Sequence, residues 1–194
     1  MTIKNNDALH EMPPPGPRAL VTMEKLVDAA EKLFAEQGVL GAAVRDITVM
    51  AGQRNASAMH YHFGGREGLI AAVLARRGAL VASERSSLME SLAGETHVAS
   101  LMRGVVEPFA HRLGDDSGCR YLLILEQCLT IPGLMPGKPG FDESMSALQL
   151  HLKKALVWMP AHVLERRLEF VIGALLGALA VRARARLRAS SFPA

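Results

Sequence analysis

Between residues 51 and 66 the sequence places Gln53, Arg54, Asn55, Ser57, His60, Tyr61, His62 and Arg66 within one short stretch that contains no acidic residue. Amides, hydroxyls and guanidinium groups of this kind hydrogen-bond the edges of bases, and the cations and tyrosine hydroxyl suit phosphate oxygens. The chemistry on offer is therefore recognition of duplex nucleic acid rather than bond making. A metal is not expected: His60 and His62 are two residues apart, which puts them on different faces of a helix, and no cysteine or third histidine lies nearby. No nucleophile–base pair or glycine-rich phosphate loop is visible either, so neither an enzyme nor a cofactor is expected.

Side chains can enter a major groove only if neighbouring elements hold them out on a short helix. Upstream, Leu26, Ala29, Ala30, Leu33 and Phe34 recur with helical period, opposite Glu24, Lys25, Asp28, Glu31 and Lys32. Thr22 is the expected N-cap of this helix and Gly38 the residue past its end. A second short helix is expected over about 44–51, with Val44, Ile47 and Met50 or Ala51 inward, and Gly52 ends it. A third is expected over about 55–62, with only Ala56, Met59 and Phe63 to bury. Gly64-Gly65 follows, then a long fourth helix from Arg66 to about residue 92 whose inner face is read as Leu69, Val73, Leu80 and Leu88. Two short helices joined through a glycine turn and buttressed by a longer one make a helix-turn-helix. Periodicity alone fits an ordinary three-helix bundle equally well. From 18 to 67 six basic and six acidic residues cancel, but four of the acids sit on the first helix, so positive potential concentrates on the turn and third helix.

Leu26-Val-Asp-Ala-Ala-Glu-Lys-Leu-Phe-Ala-Glu-Gln-Gly38, Val44-Arg-Asp-Ile47, Ala51-Gly52 and Tyr61-His-Phe-Gly-Gly-Arg-Glu-Gly-Leu69, taken as a set, resemble the N-terminal domain of the TetR/AcrR family of bacterial transcriptional regulators. The likeness covers about 20–69; the remainder matches in architecture. It implies a homodimer on a palindromic double-stranded DNA operator, its binding released or altered by a small molecule in the C-terminal domain. Carried over by position, it implies that Thr22 and Arg45 contact or approach phosphates. It places Arg54, Asn55, Ser57 and His60 at base edges or nearby backbone, and Tyr61, His62 and Arg66 at further phosphates. The chain departs from the family pattern in three places: one extra residue between Gly52 and Phe63, Ala42 or Ala43 where a capping threonine is usual, and Thr48 where a small apolar residue is usual.

The rest reads as an all-α body over 66–194 behind a head over 19–65, with 1–18 as a disordered, proline-rich tail. The run Tyr121-Leu-Leu-Ile-Leu125 fits a strand or a buried helix by period, and its helical neighbours favour helix. Residues 131–140 form a proline- and glycine-rich loop, a candidate entrance or simply a connection. Met102, Phe109, Tyr121, Cys128, Met135, Met145 and Trp158 are candidates either for an adaptable pocket around a small hydrophobic effector or for ordinary core. Gly173-Ala-Leu-Leu-Gly177, flanked by Phe170 and Leu176, is a close-packing pattern for either a dimer contact or an internal one. Arg182, Arg184, Arg186 and Arg188 read as a solvated helix end. The family commonly carries a further apolar helix after this point, whereas the sequence stops at Ala194, which weakens the expectation of a standard four-helix dimer interface.

Composition bounds these readings. Apolar residues are 49% and charged residues 21%, ordinary for a globular protein, and the longest nearly uncharged apolar run, 170–181, is too short to span a bilayer. Two cysteines and no apolar leader suit a reducing, cytoplasmic setting. Aromatic residues at 5% are too few for a single-strand stacking platform. A ligand-responsive DNA-binding regulator, a repressor in its simplest form, is the leading reading. The alternative is an all-α interaction module that has lost specific DNA binding.

Overall fold

A computed structural model describes residues 16–53, 57–131, 134 and 142–191. Among them the chain forms eight α-helices and one 3₁₀ turn, with no strand: α1 Pro17–Gln37, α2 Val44–Met50, α3 Ser57–Phe63, α4 Arg66–Ser91, α5 Val98–Ala110, the turn His111–Gly114, α6 Asp116–Thr130, α7 Glu143–Ala155 and α8 Ala161–Ser191. The fold is all-α, as the period of the apolar residues predicts.

α1 starts earlier than expected. Pro17 occupies its first turn and Gly16 is the N-cap; proline has no N–H to lose there and its φ is already helical. Thr22 is therefore inside the helix, where its hydroxyl donates to the Arg18 carbonyl at 3.1 Å instead of capping. The inner face of α4 also differs. It runs through Leu69, Ile70, Val73, Leu74, Val81, Arg85 and Met89, whereas Leu80 is 45% exposed. Steps of four residues turn that face by about 40° each, so it rotates along α4 from Leu69 through Val81 to Met89, and Leu80, in phase with Leu69 and Val73, is left outside it.

α6 explains why its sequence lacked a clear period. Asp115 caps it by accepting from the Gly118 N–H at 2.8 Å, and Tyr121, Leu122, Leu123, Ile124 and Leu125 are all buried because α1, α4 and α8 pack around it. In the body, the Arg85 side chain is fully buried. Its Nε donates to Gly104 O at 3.0 Å, its Nη1 to Ser144 Oγ at 2.9 Å, and the guanidinium lies 5.4 Å from the Phe109 ring centre.

Two sets of bonds fix the head to this body. Glu31, read from sequence as solvent-facing, is only 3% exposed. Its carboxylate meets Arg76 Nη2 at 2.5 Å and Arg77 Nε at 3.5 Å from α4, together with Arg120 Nε at 3.2 Å and the Ser117 hydroxyl from α6. Gln127 of α6 accepts the Val39 N–H at 2.9 Å, just past the end of α1, and donates to Leu123 O at 3.1 Å. The buried residues form one continuous core from Leu26 to Ala183.

Candidate nucleic-acid interface

α2 is seven residues long, and Ala43 just before it provides no side-chain cap. A helix so short is held by packing rather than propensity: Ile47 and Ala51 are buried in the same core as Leu33 and Phe34 of α1. Thr48 replaces an apolar residue without leaving a polar orphan, because its hydroxyl donates to Arg45 O at 2.8 Å within the helix. The turn then closes through Gly52, whose φ of +68° is the left-handed geometry that glycine adopts without strain. Gln53 N–H bonds to Thr48 O at 2.8 Å, and its side-chain amide lies 3.4 Å from Ala51 O, so Gln53 helps close the turn.

α3 hangs from one anchor. Met59 is 1% exposed and packs with α4, and Phe63 is half-buried against the core. The chain then reverses tightly into α4: a Cβ on Gly68 would sit 1.8 Å from the Phe63 carbonyl oxygen, so only glycine fits. Around that anchor Ser57, His60 and Tyr61 face outward, Tyr61 with 70% of its surface exposed. His62 is half-buried, edge-on to Tyr61 with ring centres 5.0 Å apart. Arg45 is exposed on α2. Arg54, Asn55 and Ala56 lie outside the described residues.

Two sequence expectations change here. Arg66 was expected at a phosphate. Its Nη1 and Nη2 instead donate to Val39 O and Ala42 O, each at 2.7 Å, tying the start of α4 to the loop between α1 and α2. Thr22, its hydroxyl committed to Arg18, is likewise occupied within its own helix. The sequence also missed Lys25 and Lys32. They are seven residues apart on one face of α1 and line an open groove of about 360 Å³ with Met50, Ala51 and Gly52, beside the turn. The acid in that groove, Asp28, is paired with Arg76 at 2.6 Å. Their helical spacing with Asp28 and Glu31 between them made these lysines look like ordinary members of a charged face.

Residues 26–73 match the family model described as "Bacterial regulatory proteins, tetR family". This stretch is a TetR-family domain. The matched stretch runs from Leu26 in α1 through α2 and α3 into the first turns of α4. Among curated proteins none is similar enough to match it.

Behind the TetR-type head, the candidate pocket residues separate. Phe109, Tyr121, Cys128 and Met145 are packed into the core, each 5% exposed or less. Burial pushes the Cys128 thiol up to about 12 and raises Cys119 and Tyr121 as well, so none of the three offers an ionised nucleophile near neutral pH. Met102 and Trp158, by contrast, line an apolar cavity of about 250 Å³ among α5, α7 and α8. Met135 lies outside the described residues.

The dimer candidates separate too. Leu176 is 1% exposed and belongs to the chain's own core, which rules out an outward role. Phe170 is 77% exposed, and Val181 of the same helix 64%. A Cβ placed on Gly173 or Gly177 would meet nothing within 4 Å. Among the described residues no helix is long and apolar enough to cross a membrane, and no three His, Cys, Asp or Glu side chains are grouped as metal ligands would be.

Proposed function

We propose that this regulator acts in the cytoplasm as a homodimeric repressor, occupying a palindromic operator until a small apolar effector enters the body. The observation that carries the DNA reading is α3 itself: one buried methionine holds it, Ser57, His60 and Tyr61 face outward, and no acid lies between 51 and 66. Arg45, Lys25 and Lys32 extend the cationic surface around it, where counterion release would supply affinity. Arg54 and Asn55 remain in the proposed contact set.

Dimerisation is supported by α8. A glycine inside a helix costs roughly 1 kcal/mol relative to alanine, and neither Gly173 nor Gly177 is needed for an internal close approach. A second copy packed along Phe170, Gly173, Gly177 and Val181 would use both. The two heads would then address half-sites about 34–36 Å apart or a multiple of that. Glu31 and Gln127 tie each head to α4 and α6, so a shift of either helix on effector entry would change that spacing.

Footprinting the DNA that flanks the gene is expected to give two protected segments about 10–10.5 base pairs apart, centre to centre, or a multiple of that. Gly173→Leu should yield monomers in sedimentation and lose the paired protection. A wild-type monomer in solution, or a single protected segment, would contradict the dimer reading.

A further inference from the structure

The cavity among α5, α7 and α8 differs in kind from the packed core beside it. Met102, Leu152, Leu164, Leu168 and Val171 make its wall, and Trp158 and Arg167 also line it. Trp158 is 71% exposed and its neighbour Val157 84%, in the turn between α7 and α8. Two adjacent large apolar side chains held in water are costly unless something covers them.

Arg167 is exposed and has no ion pair or hydrogen bond among the described residues. The nearby acid Glu165 is taken up by Lys153 at 3.0 Å. Arg167 therefore leaves one positive charge at the edge of an otherwise apolar hollow. Its 250 Å³ holds about eight groups of the size of a water molecule or a methylene, at roughly 30 Å³ each. At 100° per residue along α8, Arg167 stands about 60° from Phe170, between the cavity and the outward stripe.

The geometry points to a monocarboxylate as the effector of this cavity: an apolar body of about eight heavy atoms among the leucines under Trp158, its carboxylate on Arg167. A guanidinium can hold a carboxylate through two parallel N–H bonds. One cation above an apolar wall suits a single charge with a hydrophobic tail. Arg167 and Val171 also line the neighbouring groove that contains Phe170, so an occupant would press on the edge of the α8 face proposed for dimerisation. This inference rests on the ligand-responsive reading above, but the cavity can be tested without DNA.

Trp158 is the only tryptophan, so its emission reports the cavity directly. The full chain would be titrated at fixed ionic strength with octanoate and, separately, octan-1-ol. A saturable blue shift with octanoate is expected, with octanol at least tenfold weaker. Arg167→Gln should lose tenfold or more for octanoate and change octanol less than twofold. Met102→Trp, which fills the hollow, should block octanoate-induced protection of the fold against denaturant. Equal affinity for the two probes, or an unaffected Arg167→Gln, would overturn the carboxylate assignment. No saturable change with either probe would overturn the site. Octanoate added to the protein–DNA complex separates the two levels: binding at Trp158 without release of DNA leaves the cavity standing and overturns ligand response. Intact DNA binding with a silent Trp158 does the reverse for the cavity.

Discussion

Glu31→Ala is expected to lower the unfolding free energy by about 3 kcal/mol, because it removes a buried carboxylate and leaves its partners uncompensated. Arg76, Arg77 and Arg120 all point at Glu31, and Asp28 answers Arg76 alone. Those arginines keep 23–33% of their side-chain surface in water, which holds the figure to the lower end of what a broken buried ion pair costs. Burial by itself would raise the Glu31 carboxyl. The Ser117 hydroxyl and the Arg76 and Arg120 guanidinium groups outweigh it and hold the group below its ordinary value. A carboxyl depressed in the folded state adds stability above its unfolded pKa, roughly 4.3, and that contribution disappears as pH falls through the folded value. Urea melts of the wild type should therefore weaken below about pH 4, and Glu31→Ala should flatten that limb as well as lower the plateau. A loss under about 0.5 kcal/mol at pH 7 with an unchanged acid limb would refute the role given to Glu31. Because these bonds join α1 to α4 and α6, the variant should also uncouple the head: effector would bind with little effect on DNA.

Arg66→Ala separates an inward clamp from a phosphate contact. Two charge-assisted bonds at 2.7 Å hold the carbonyls of Val39 and Ala42. Hydrogen bonds to charged groups contribute about 1.5–3 kcal/mol each, and a carbonyl left without a partner adds to the loss. A drop of about 2–3 kcal/mol is expected: Val39 and Ala42 are both 0% exposed, and only water admitted by the truncated side chain can replace the lost donors. Arg66→Lys should restore little, because one ammonium on a flexible stem does not reproduce the fork that spans both oxygens. DNA affinity should fall through misplacement of α2 and α3, while the slope of log affinity against log salt stays the same. Full stability with a salt slope about one unit shallower would show the guanidinium on a phosphate instead.

The contrast between these two residues indicates what the sequence could and could not disclose. The helices were legible because Leu26, Leu33 and Phe34, or Leu69 and Val73, repeat at the helical period. The head was legible because Ile47, Gly52, Met59 and the 61–69 segment are set by packing and turn geometry over short range. Glu31 and Arg66 were not. Their partners lie 24 to 89 residues away, and a charged side chain at a helical position carries no mark of what will come to meet it. Arg85 was illegible for the same reason: a cation in the α4 stripe looks like a break in the apolar face, and Leu80, in phase with Leu69 and Val73, lies where the buried face has already turned away. Among the pocket candidates the residue types were legible, but whether a methionine or aromatic lines a cavity depends on how three helices splay. Met102 and Trp158 line one, whereas Phe109 and Met145 fill the core.

The claim on which the rest depends is that α3 enters duplex DNA. Fluorescence anisotropy with a labelled duplex from the flank of the gene, across a salt series and against a random duplex, tests it most directly. Specific binding about 1,000-fold tighter than to the random duplex is expected at physiological salt, with a steep salt slope. Tyr61→Ala, at a site 70% exposed, should weaken binding to both duplexes by about tenfold while leaving urea stability unchanged. Binding equally weak on the two duplexes, and indifferent to Tyr61→Ala, would contradict it.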